Sequence, residues 1–82
     1  MDLVKLTETL VNALALDKES VSVKEFPTDE EDTILIQAMV SSDDIGRVIG
    51  KSGKNANAIR TLVQASSALG ENKYVKIDID KF

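Results

Sequence analysis

The stretch Ile45-Gly46-Arg47-Val48-Ile49-Gly50-Lys51-Ser52-Gly53 constrains this chain more than any other, because it sets two glycines three residues apart between two runs of helical periodicity. Ile45, Val48 and Ile49 form one apolar face of a helix of no more than two turns. Gly50 stops that helix and Gly53 opens the next, which the pattern carries from about 54 to 69 before Gly70 ends it. A Gly-x-x-Gly corner aims consecutive backbone N-H groups outward beside a helix N-terminus, with no Cβ at either end to hold an anion away. Lys51 and Lys54 add positive charge there, and Ser52 a hydroxyl.

Charge is distributed to match. Residues 1–44 hold eleven acids and three bases, residues 45–70 hold Arg47, Lys51, Lys54 and Arg60 with no acid, and residues 71–82 balance at three each, for a net charge of -4. The chain reads as an acidic body with one basic site, and the local field decides where an anion docks. A glycine corner that merely turned the chain would explain Gly50 and Gly53 but not a 26-residue stretch without an acid.

The remaining elements follow from periodicity. Leu3, Leu6, Leu10 and Leu14, flanked by Val4 and Val11, predict an amphipathic helix over 2–15. Val21, Val23 and Phe26 alternate as a short strand that Pro27 ends, the acidic run Asp29 to Asp32 reads as a solvated turn, and 33–40 is apolar enough for a central strand. Ser41 or Ser42 is placed to cap the next helix, with Asp43 and Asp44 favouring its positive end. Tyr74, Val75, Ile77 and Ile79 alternate with polar residues as the last strand. The order α-β-β-α-α-β predicts an α+β domain of two layers: a three-stranded mixed sheet, its second and last strands parallel through a helical crossover, with the helices on one face. At 82 residues the chain is expected to be one domain, 1–82.

Several functions are disfavoured. With no cysteine and no histidine the usual zinc ligands, thiol chemistry and the commonest proton shuttle are missing, and no acidic pair sits at a spacing that suggests catalysis, so no enzyme, metal or cofactor is expected. Neither a leader-like N-terminus nor a membrane-length apolar run is evident, which points to the cytoplasm. Gly46, Gly50, Lys51 and Ser52 nearly spell a nucleotide-binding P-loop, but three residues separate the glycines instead of four, and a helix approaches where a P-loop needs a strand.

Val48-Ile49-Gly50-Lys51-Ser52-Gly53, followed by the apolar Ile59, resembles the IGxxG core of KH domains. The extra helix and strand before it resemble the type II arrangement, the likeness extends over essentially the whole chain, and the size and acidic N-terminal half are similar to those of small free-standing bacterial members with a single KH domain. Ala56 departs from the pattern, standing where KH domains often carry isoleucine, so base preferences are not carried over. The resemblance implies that Gly50, Lys51, Ser52 and Gly53 clamp the backbone of single-stranded RNA, about four nucleotides of it. Ile45, Val48 and Ile49 then wall a groove for the bases, Lys54 adds charge, and Arg47 and Arg60 either touch the RNA or solvate their helices.

The second long helix carries more apolar surface than one stripe needs. Ile59 and Val63 suit the sheet, while Ala58, Leu62, Ala65 and Leu69 make a second stripe suited to core, groove wall or another protein's helix. The resemblance implies self-association or pairing with a larger KH-containing protein. It further implies RNA chaperone or post-transcriptional work linked to cell elongation, division and cell-wall homeostasis. An adaptor with a KH fold and little RNA affinity is the alternative.

Overall fold

In the computed structural model, which describes residues 2–82, the elements are α1 (Leu3–Leu14), β1 (Ser22–Phe26), β2 (Thr33–Val40), α2 (Ile45–Ile49), α3 (Lys54–Leu69) and β3 (Tyr74–Lys81). Single 3-10 turns occupy Lys18–Ser20 and Lys51–Gly53. The sheet order is β1-β2-β3, with β1 antiparallel and β3 parallel to β2. The expected α+β architecture is therefore present, and β2 is the shared centre.

Alternation along the strands assigns the two faces. Val23, Ile34, Ile36, Ala38, Val40, Val75 and Ile77 are buried beneath the helices, whereas Lys24, Lys76 and Asp78 stand on the open face. Ile36 and Val40 are fully buried; burial of such a side chain contributes about 2 kcal/mol. From α3, Ile59 and Val63 enter the core, and Val48 enters from α2.

The first helix turns differently from the leucine pattern. Its innermost line is Leu3, Thr7, Val11 and Ala15, while Leu6, Leu10 and Leu14 are only partly buried along its flanks. This follows from α1 meeting both the sheet and α3, which spreads its apolar surface wider than one stripe. Thr7 is accommodated in the core because its hydroxyl donates to the Leu3 carbonyl at 2.8 Å. Asp2 caps the helix by accepting from the Lys5 N-H at 3.0 Å.

The β3 edge is guarded by α3. Gln64 accepts from the Val75 N-H at 2.9 Å and donates to the Lys73 carbonyl at 3.0 Å. Arg60 Nε donates to the Ile77 carbonyl at 3.2 Å. Backbone groups that would otherwise recruit another strand are thus occupied by side chains.

Candidate nucleic-acid interface

The loop conformation follows from its glycines. Gly50 sits at φ 79°, ψ 170°, a region essentially reserved for glycine, and Gly53 at φ 75°, ψ 14°. Between them Lys51 is helical and Ser52 is left-handed, at φ 57°, ψ 26°. Successive right- and left-handed residues turn their N-H groups toward one point, the nest geometry that receives anions. The Gly50 N-H bonds the Gly46 carbonyl at 2.9 Å and the Gly53 N-H bonds the Gly50 carbonyl at 3.1 Å, while the Lys54 N-H is taken by Lys51. Among the described residues, the N-H groups of Lys51 and Ser52 make no hydrogen bond. Two convergent donors at the start of a 16-residue helix are open to a ligand.

The loop is held from below by Asn55, the second residue of α3. Its Nδ2 donates to the Arg47 carbonyl at 2.9 Å, tying the end of α2 to the start of α3. No local sequence pattern singles Asn55 out. An asparagine after a glycine loop is common enough on exposed helix turns to carry no signal by itself.

Charge around the loop is free. Lys51 and Lys54 are exposed and, among the described residues, have no carboxylate within 4.0 Å. Arg47 is half exposed and its Nε lies 3.6 Å from Asp44 Oδ1. Arg60, exposed over part of its length, is anchored to β3 rather than extended freely into solvent.

Two expectations are corrected here. Val48 is fully buried in the core, so it presses α2 onto the sheet and offers no surface to a groove, whereas Ile45 and Ile49 are half-buried. Neither Ser41 nor Ser42 caps α2. Asp44 takes the N-cap position but turns its carboxylate away from the helix to accept from the N-H groups of Asp17, at 2.9 Å, and Leu16, at 3.2 Å. The Asp17 N-H, together with that of Leu16 and the charge of Arg47, holds this carboxyl below the usual range despite the opposing effect of burial. Asp44 thereby ties the end of α1 to the helix that leads into the loop.

Away from the loop, Ala58, Leu62, Ala65 and Leu69 are all exposed, Leu62 at 52% and Leu69 at 92%. Beside them Leu10, Ala13 and Leu14 of α1 and Asn55, Ala58, Ile59 and Leu62 of α3 line an apolar groove of about 210 Å³.

Helices on one face of a mixed three-stranded sheet, with Gly-x-x-Gly joining the two helices of the crossover, define a type II KH domain. The family model for the KH domain of KhpA/KhpB matches residues 4–79, and the chain belongs to that family. It is 41% identical over 75 residues to the RNA-binding protein KhpA of Clostridium perfringens, covering 92% of this chain and 96% of that protein. Against KhpA of Oceanobacillus iheyensis the identity is 40% over 74 residues, with 90% and 95% covered. Among solved structures, Era in complex with a segment of 16S ribosomal RNA superposes with a TM-score of 0.66 at 17% identity, over 96% of this chain and 29% of that one. Era of Aquifex aeolicus gives 0.70 at 16% identity, over 98% and 30%. The likeness to Era is one of fold.

Proposed function

We propose that this chain is a non-enzymatic, single-domain RNA-binding protein whose Gly50-Lys51-Ser52-Gly53 loop clamps the phosphates of single-stranded RNA. The observation that carries this reading is the pair of N-H groups at Lys51 and Ser52 that make no hydrogen bond among the described residues, beside the exposed Lys51 and Lys54 side chains, which have no ion pair there. Ile45 and Ile49 contribute apolar wall to the adjoining surface, and Lys54 adds long-range attraction. Arg47 reaches the RNA from the rim of the loop, and Arg60 reaches it from the β3 edge.

The protein works as a homodimer or with a KhpB (Jag)-type KH protein, through Ala58, Leu62, Ala65 and Leu69. Every exposed residue of α3 past Asn57 except Arg60 is uncharged, unusual surface in a chain with 29% charged residues. An antiparallel two-fold arrangement is also electrostatically favoured. The helix starts at the basic loop and ends near the acidic turn, where Asp32 accepts from the Tyr74 N-H at 2.8 Å. Opposed copies therefore set basic ends against acidic ends. Pairing compensates for the weakness of one short clamp by raising effective concentration. The cellular reading is a cytoplasmic RNA chaperone or post-transcriptional regulator acting in cell elongation, division and cell-wall homeostasis.

Titration with a labelled single-stranded RNA octamer tests the clamp. Affinity falls with salt along a log-log slope no steeper than about -3, the value for four phosphates on a single strand. The double variant Lys51→Asp, Ser52→Asp loses binding and keeps its fold, since aspartate tolerates the left-handed conformation at 52. Equal binding by that variant contradicts the clamp, whereas no binding by the wild type favours the adaptor reading, which the uncharged α3 surface supports.

A further inference from the structure

Among the described residues Asp44 is the only buried acid. A carboxylate is costly to bury unless its oxygens are paired, and these two are divided between different tasks. Oδ2 takes the N-H groups of Leu16 and Asp17 at the end of α1, a tie that a neutral acceptor would also make. Oδ1 faces Arg47 Nε at 3.6 Å, where the negative charge matters. Arg47 is held at its main chain too, because its carbonyl accepts from Asn55 Nδ2 at 2.9 Å. It is thus fixed twice, one turn before Gly50. Its side chain is 48% exposed, and Nε, the guanidinium nitrogen nearest the stem, is the atom that faces Asp44, so the two Nη groups stand at the outer end.

We infer that Asp44 is a positioning residue that sets the Arg47 guanidinium at the rim of the loop in advance, so that its Nη groups take one RNA phosphate as a fork; the inference rests on the RNA-binding reading. An exposed arginine loses rotamer freedom when it takes a phosphate, and restraint before binding lessens that cost. The planar fork lets one side chain meet Asp44 and a phosphate together, whereas a lysine ammonium would be divided between them. Charge and position make opposite predictions for Asp44. As an anion near a phosphate site it repels RNA, so its removal tightens binding. As the holder of Arg47 it favours RNA, so its removal weakens binding.

Wild type, Asp44→Asn, Arg47→Ala and the double variant are titrated by anisotropy with a labelled random-sequence RNA octamer, at a temperature where amide spectra show every chain folded. Asp44→Asn weakens RNA about threefold where Arg47 is present and does not weaken it in the Arg47→Ala background. Arg47→Lys keeps the charge and also loses about threefold. Arg47→Ala makes the salt slope shallower by about 0.7, the share of one phosphate on a single strand, while Asp44→Asn leaves the slope unchanged. A loss of equal size without Arg47 overturns the inference by making Asp44 a tie between helices alone. Tighter or unchanged binding by Asp44→Asn in the presence of Arg47 overturns it as well. The Arg47 Nε-H resonance, followed by NMR without RNA at mildly acid pH, tests the restraint separately: it exchanges slowly with solvent in the wild type and faster in Asp44→Asn. Equal exchange overturns the inference whether or not RNA binds, and a wild type that binds no RNA while the two rates differ refutes the RNA reading alone.

Discussion

Gly50 and Asn55 share one space: a Cβ at residue 50 would lie 2.7 Å from Asn55 Cγ and 2.8 Å from its Nδ2, closer than real Cβ contacts come. At Gly53, by contrast, the nearest atom is 4.0 Å away. Both glycines have positive φ, so alanine is strained at either, but only at residue 50 does it also collide with the side chain that holds the loop. Gly50→Ala should cost about 3 kcal/mol and Gly53→Ala about 1 kcal/mol, read from chemical denaturation. Adding Asn55→Ala should recover about 1 kcal/mol of the first loss and none of the second.

The Asp44 carboxyl gives stability a pH dependence of known sign. Its pKa is lowered on folding, so its contribution is complete above the ordinary carboxyl value of 3.8 and is lost as pH falls through the lower folded value. Asp44→Asn should lower Tm at pH 7, because the Leu16 and Asp17 N-H groups, which share Oδ2, lose a charged acceptor and the atom in place of Oδ1, 3.6 Å from Arg47 Nε, becomes a donor facing a cation. The gap between variant and wild type should close as the pH is taken below the ordinary value. A gap that is constant from neutral to acid pH would assign the loss to packing instead.

Gln64 satisfies two groups of the β3 edge with one amide. Gln64→Ala leaves the Val75 N-H without its side-chain acceptor and should cost about 1–2 kcal/mol. The freed edge should also show in hydrogen exchange, as faster loss of the Val75 amide proton than of the Lys76 proton on the β2 side.

Leu62 is the largest side chain in the middle of the uncharged α3 face. Leu62→Asp should leave Tm within about 1 kcal/mol equivalent of wild type, since the residue is half exposed, while shifting the solution mass of concentrated protein toward the monomer. Light scattering that finds the same mass for both chains would count against this face as a contact.

Much of the fold was legible in the sequence because its elements announce themselves locally. The apolar run of β2 and the helix from Lys54 to Leu69, framed by Gly53 and Gly70, lie where periodicity and glycine place them. The loop was legible for the same reason, its glycines and lysines being contiguous. What escaped was every role decided by a distant neighbour. Asp44 looks like a helix-terminal charge until its partners prove to be Leu16 and Asp17, 28 and 27 residues away. Val48 shares the apolar signature of Ile45 and Ile49, and only the packing of α2 on the core separates it from them. Asn55, Gln64 and Arg60 act across loops or onto a strand edge, where no local pattern points.

The central claim is that the nest at Lys51 and Ser52 receives an RNA phosphate, and backbone amide NMR tests it residue by residue. On titration with a single-stranded RNA octamer, the largest shifts should fall on the amides of Lys51, Ser52 and Gly53, with smaller ones on Ile45 and Ile49. Loop amides that stay fixed while shifts gather on Leu62 and Leu69, or on the open face of the sheet, would contradict it.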